Sequence, residues 1–234
     1  MINMTKLELY REELLNESII NPGKINDLIN EFEKERNILL PNESSEILSI
    51  VNNLGEDIGV KAPRWLCHLL GLRHKSAHIL IFYYSNIRTK NFIFQVRNWN
   101  KNDCPGYLEV SASGHSGVII DNNSIESAYK ELDEELGLSS RDLVNEKLIY
   151  YKGYEFIGSG TQENFYNKEW CDLYYGELRF DSFKKISFKD REVVGLYVCP
   201  ENEVSNFINQ NIIPSTRSLK NALEFFLQLH SGIY

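Results

Sequence analysis

The residues from Ser124 to Leu138 read Ser-Ile-Glu-Ser-Ala-Tyr-Lys-Glu-Leu-Asp-Glu-Glu-Leu-Gly-Leu. As a helix, at about 100° per residue, this segment puts Glu131, Glu134 and Glu135 on one arc, because they stand at i, i+3 and i+4. Ala128, Leu132 and Leu136 fall on a neighbouring arc that can face a sheet. Three carboxylates so spaced repel one another by roughly a few tenths of a kcal/mol per pair even when solvated. A hard divalent cation would remove that repulsion, and oxygen-only donors are the set it prefers. A solvated acidic face is the alternative that the helix alone leaves open.

The chain that has to position this helix has 234 residues, with 25 Lys+Arg against 33 Asp+Glu and a formal net charge of −8. That length allows one large domain, or one domain with an extension, and it can bury a real core. Apolar residues at 42% and charged residues at 25% are ordinary globular values. The acidic balance argues against a nucleic-acid or anionic-membrane binder, whose affinity needs clustered Lys and Arg. No apolar run approaches the ~20 residues that span a bilayer. The opening stretch, MINMTKLELYREELLNES, alternates apolar and charged residues without the apolar run of a signal peptide. A soluble, cytoplasmic protein is the expectation. Cys67, Cys104, Cys171 and Cys199 are scattered, with no Cys-x-x-Cys pair, so they read as free thiols rather than a zinc or disulfide framework.

Residues 5–40 carry helical periodicity. Leu7, Leu14 and Leu15 share a face, Asn21-Pro22-Gly23 makes a break, and Ile25, Leu28, Ile29 and Phe32 make a second face before Pro41. Residues 1–41 thus read as a helical extension in front of a main domain over 42–234. The extension could cap a sheet or form the surface of a homodimer. From residue 46 the texture turns to strands: 46–52 and 58–61 around a Leu54-Gly55-Glu56-Asp57 turn, then 78–84, 91–97 and 107–113. A turn with Gly114 and Gly117 leads into the carboxylate helix. Further strands are expected over 147–157, 170–180 and 193–199, and a last helix over 215–229. Strands interrupted by one central and one terminal helix indicate an α+β fold.

Lys130-Glu131-Leu132-Asp133-Glu134-Glu135-Leu136-Gly137-Leu138 resembles the R-E-U-x-E-E-x-G-U core of the Nudix box. Upstream, Gln95-Val96-Arg97, Lys101, Pro105-Gly106 and Ser111-Ala112-Ser113-Gly114-His115 resemble the ordered Q-x-R, K, P-G and S-x-x-G-H string of the Nudix branch nearest isopentenyl-diphosphate isomerase. The Gly55–Gly59 turn and the His68…His74 segment fit the same branch. The resemblance covers roughly residues 46–200. It implies an α/β/α sandwich with a mixed sheet, and hydrolysis of a small-molecule diphosphate with Mg²⁺ or Mn²⁺. On that pattern Glu134 and Glu135 are the principal metal ligands, and Glu131 is a further ligand or helps deprotonate the attacking water. Glu163 or Glu169 could supply a remaining carboxylate. Lys101 and Arg97 are candidates for phosphate contact, with a structural ion pair as the alternative for Arg97. The isomerase pattern also implies a second metal site from His68, His74, His115 and Glu169.

Several positions depart from the pattern. Lys130 stands where the family has Arg, keeping the charge without the planar fork. Asn122 stands where the box places its first Glu, and the loop from Gly114 to Asn122 is two residues longer than usual. Ser113 replaces the isomerase cysteine, and Asn167 replaces one of its paired carboxylates, which argues against isomerisation. Two readings from different classes follow: a hydrolase of a nucleoside diphosphate derivative or other organic diphosphate, and a Nudix-fold binding or regulatory module that has lost catalysis.

Overall fold

A computed structural model describes residues 4–16, 21–85, 88–101, 103–117, 124–159, 163–210 and 213–230. Asn122 and most of its loop lie outside the described residues. In chain order the elements are α1 (Met4–Asn16), α2 (Pro22–Phe32), α3 (Arg36–Leu39), β1 (Ile47–Val51), β2 (Asp57–Pro63), α4 (Arg64–Leu70), β3 (His74–Tyr84), β4 (Lys90–Arg97), β5 (Leu108–Glu109) and β6 (Ala112–His115). There follow α5 (Ile125–Leu136), β7 (Ile149–Ser159), β8 (Tyr166–Glu177), β9 (Val193–Pro200), α6 (Val204–Gln210) and α7 (Arg217–His230). The chain is of the α+β class, and among the described residues no helix is long and apolar enough to cross a membrane. Two compact units are formed, one from Met1–Ser76, His115–Ser124 and Gly153–Cys171, the other from Ala77–Gly114, Ile125–Lys152 and Asp172–Tyr234.

In the first unit, the Asn-Pro-Gly break is the start of α2. Asn21 Oδ1 accepts from the Gly23 N–H at 2.6 Å, and Pro22 takes the first helical position, where its missing N–H costs nothing. Leu7, Leu14, Ile25, Leu28 and Phe32 share one core with Leu48, Ile50, Val60, Ala62 and Trp65. The N-terminal helices therefore bury their apolar faces against the β1–β2 hairpin and α4, where Leu48 lies opposite Ala62. Helix α4 has no amphipathic period to reveal it, because everything from Trp65 to Leu70 is buried. It closes at Gly71, whose φ of 68° and close approach to the Tyr166 ring leave no room for a Cβ. Strand β3 then begins at His74, paired with Ile50 of β1, four residues before the apolar run starts.

In the second unit, β4 pairs antiparallel with β3 (Ile81 opposite Ile93), with β5 (Gln95 opposite Glu109) and with β9 (Gln95 opposite Leu196). Ala128, Leu132 and Leu136 of α5 pack with Ala77, Ile79, Ile81 and Ile93, the arc expected to face strands. The run over 107–113 is two short strands rather than one. Between them the buried Ser111 hydroxyl accepts from the Ile81 N–H at 2.7 Å and donates to the Ile93 carbonyl, replacing two ladder bonds.

Asp142 anchors the chain after α5. It is 6% exposed and accepts from the Ser139 N–H (3.0 Å), the Ser139 and Ser182 hydroxyls (2.9 and 3.1 Å) and Lys185 (2.6 Å). Burial opposes its ionisation, but these donors outweigh burial and hold the carboxyl well below the usual range. A depressed folded-state pKa contributes stability above the unfolded value of about 3.9 and loses it as pH falls toward the folded value. Asp142→Ala should lower the unfolding free energy by about 2–3 kcal/mol in urea at neutral pH. The gap from wild type should narrow as the titration is repeated below about pH 4.

Candidate functional site

The carboxylate site lies wholly in the second unit, and the C-terminal end of α5 builds it. The last carbonyls of a helix lack intrahelical partners, and here a segment far along the chain supplies donors to two of them. The Ser187 N–H donates to Leu136 O at 3.0 Å and the Lys189 N–H to Glu134 O at 3.1 Å. Gly137, at φ 67°, turns the chain away with its Cα against Ser187. The same segment is tied to the end of β4: the Asn98 N–H donates to Glu192 O at 2.8 Å and Asn98 Nδ2 to Arg191 O at 2.7 Å. Asp190 and Glu192 are thereby brought to Glu135, and donor atoms of these three carboxylates lie within 4.8 Å of one another.

Glu135 is 2% exposed and doubly oriented. Its Oε2 accepts from the Ser113 N–H at 2.7 Å and from Gln95 Nε2 at 3.0 Å. Burial nevertheless pushes its pKa well above the usual carboxylate range, and the neighbouring Glu131 and Asp190 push in the same direction. Glu131, 8% exposed, is raised by burial and by Glu134 and Glu192 against the pull of Lys130. Asp190 is raised by burial and by Glu192. Gly114 is required beside them: a Cβ there would sit 2.2 Å from the Glu131 carboxyl carbon. Glu134 is more open and pairs with Lys130 at 2.7 Å, which also reaches Glu131 at 3.3 Å.

These donors suit a divalent cation. The set is oxygen-only, and three of its carboxylates are held short of easy ionisation by burial and mutual repulsion, which a cation would relieve. Lys101 is placed at the site by its ion pair with Glu192. Arg97 is placed differently: its Nε and Nη2 donate to the Asp103 carbonyl at 3.3 and 3.0 Å, fixing the loop that carries Lys101. Asp190 and Glu192 were not among the sequence candidates, since nothing in their spacing ties them to α5. Glu163 is exposed on a turn of the first unit.

A separate cluster lies in the first unit. Donor atoms of His68, His74, His115 and Glu169 are all within 4.8 Å of one another, as the isomerase pattern implies. The three imidazoles sit 4.9–5.2 Å apart by ring centroid, with the Phe165 ring 4.3 Å from His68. Glu169 faces His115 Nε2 at 3.3 Å and His74 Nε2 at 3.9 Å. It is oriented by the Ser76 hydroxyl (2.9 Å) and by Asn167 Nδ2 (2.7 Å), so Asn167 serves Glu169 as a donor. His74 Nδ1 donates to Leu72 O at 2.9 Å. Burial lowers the His74 pKa to about 4 and takes His115 well below its ordinary value, so both are neutral near pH 7. Both ring nitrogens of His68 and the Nε2 atom of His74 are buried without a hydrogen-bond partner. Glu43, which the sequence reading passed over, is buried beside His68, and His68 and Arg64 hold its carboxyl down to about 2 against the cost of burial.

No family model matches the chain. Nudix hydrolase 3 of Arabidopsis thaliana is 27% identical over 168 residues, 71% of this chain; the chain spans 21% of that longer protein. An uncharacterised Nudix hydrolase of Clostridium acetobutylicum is 28% identical over 169 residues, covering 71% of this chain and 76% of the relative. The crystal structure of a Deinococcus radiodurans protein shares the fold with a TM-score of 0.54 at 15% identity, over 76% of this chain and 98% of that one. The chain is thus similar, over about seven tenths of its length, to two proteins that carry the Nudix hydrolase name, and its ordered motifs from Gln95 to Leu138 resemble the Nudix pattern.

Proposed function

We propose that the chain is a hydrolase dependent on Mg²⁺ or Mn²⁺ that cleaves the diphosphate linkage of a nucleoside diphosphate derivative or another organic diphosphate. The observation that carries this reading is the convergence of Glu131, Glu135, Asp190 and Glu192 at one end of α5, with Lys101 beside them. A bound cation would hold phosphate oxygens and neutralise the charge that develops on them during displacement by water.

The chain's own residues divide the remaining tasks. Ser113 N–H and Gln95 hold Glu135 by Oε2, which directs its other oxygen to ligation. Asp190 and Glu192 complete the oxygen set, and Glu134 joins it by leaving Lys130. Glu131 is a ligand or takes the proton from water, a role helped by its raised pKa. Lys101 contacts the phosphate, and Arg97 keeps the Lys101 loop in shape. Phosphate release from a panel of nucleoside diphosphate compounds, with Mg²⁺ and with Mn²⁺, tests the reading. Glu134→Gln and Glu135→Gln should each lower turnover by roughly 100-fold or more with an unchanged circular dichroism spectrum. Full turnover in both variants would overturn the assignment. Silence across the panel together with tight ligand binding would favour the non-catalytic module.

A second reading concerns the histidine cluster, which we take as a transition-metal site. The buried, unpartnered Nε2 atoms of His68 and His74 favour it, because leaving two such acceptors empty in a core is costly. Three imidazoles and one carboxylate suit Zn²⁺ or Mn²⁺. His74→Ala should weaken Zn²⁺ binding by at least roughly tenfold in calorimetry with excess Mg²⁺ present. Equal affinity in the variant would contradict the site.

A further inference from the structure

We infer that Glu43 is the positioning residue of the histidine cluster, fixing the His68 ring so that Nε2 is the nitrogen it offers to a metal. This rests on the reading of the cluster as a metal site. Glu43 follows α3 in the chain, and its side chain is 3% exposed. Its two oxygens are divided between two partners: Oε1 lies 2.9 Å from Arg64 Nε, and Oε2 lies 3.4 Å from His68 Nδ1. Arg64 and His68 stand four residues apart on α4, one turn of the helix, so a single carboxylate serves both. The Ser44 N–H adds a bond to Oε1 at 3.2 Å and so leaves Oε2 to the imidazole.

Both nitrogens of His68 are buried without a formed hydrogen bond, but a carboxylate facing Nδ1 at 3.4 Å in the core favours the tautomer with its proton there, which leaves the lone pair on Nε2. His74 reaches the same state by another route: its Nδ1 donates to the Leu72 carbonyl at 2.9 Å, and its Nε2 is likewise buried and unpartnered. Two rings from different elements, α4 and β3, are thus held by unlike acceptors with the same edge outward. Packing alone does not ask for this. A ligand histidine does, because an acceptor on its far nitrogen sets the tautomer, fixes the ring plane and raises the basicity of the ligating nitrogen. Arg64 balances the charge of Glu43, so the carboxylate can stand in the core without drawing a proton.

Two measurements on the full chain test this. Long-range ¹H–¹⁵N spectra of the metal-free protein report the His68 tautomer, and calorimetry with Zn²⁺ alone as the titrant, in excess Mg²⁺, reports affinity. Wild type should show His68 protonated at Nδ1. Glu43→Ala should lose that preference and bind Zn²⁺ roughly 10–100-fold more weakly. Glu43→Gln, whose amide oxygen still accepts from Nδ1, should keep the tautomer and restore most of the affinity. Glu43→Ala that binds Zn²⁺ as tightly as wild type, with His68 still protonated at Nδ1, overturns the role of Glu43 and leaves the metal site standing. Wild type that takes no Zn²⁺, or takes it equally well in His74→Ala, overturns the site and this inference with it. If Glu43→Ala does not fold, the wild-type spectrum decides, and His68 protonated at Nε2 overturns the inference.

Discussion

Gathering carboxylates is costly, and the second unit does so at the end of α5. Glu131 and Glu135, which are buried, pay twice, once for lost hydration and once for the charge of their neighbours. The surrounding scaffold holds the group together against both. The amide of Ser113 and the side chain of Gln95 grip Glu135, the amides of Ser187 and Lys189 cap the helix, and Asn98 pulls in the chain at Arg191 and Glu192. The strand pairings, the helix cap and the glycine at 114 hold that arrangement in place.

The α+β class, the carboxylate helix and its buried arc were legible in the sequence because they depend on periodicity, and periodicity is local. Ala128, Leu132 and Leu136 face strands as their spacing requires. Helix α4 was not legible, since a segment buried on every side has no polar face to mark its period. The start of β3 was hidden for a related reason: His74, Lys75 and Ser76 are polar but buried, so hydropathy reads them as loop. Asp190 and Glu192 could not be found by spacing, because hydrogen bonds to the carbonyls of a helix more than fifty residues earlier bring them into place. Gln95 was visible as part of a motif, and only the geometry shows that its amide is spent on Glu135.

The histidine cluster follows the opposite electrostatic logic. Burial lowers the pKa of His74 and His115, and the Leu72 carbonyl behind the His74 ring takes its Nδ1 proton and leaves Nε2 with its lone pair. Glu169 supplies the only carboxylate of that donor set and is itself held by Ser76 and Asn167. The motif string named His68, His74, His115 and Glu169 as candidates, and the structure places their donor atoms within 4.8 Å of one another. The string did not foresee the supporting groups, which come from Glu43, Leu72 and Ser76 and carry no signature of their own.

The backbone bonds from Ser187 and Lys189 to the end of α5 have a mechanical consequence. They join the helix and the 187–192 segment into one block, so a tilt or slide of α5 carries Glu131, Glu135, Asp190 and Glu192 along together. The block is in turn fastened to the end of β4, by Asn98 to Arg191 and Glu192 and by Gln95 to Glu135, and Lys101 pairs with Glu192, so the helix end, the later segment and the strand that leads to the Lys101 loop share one hydrogen-bonded frame.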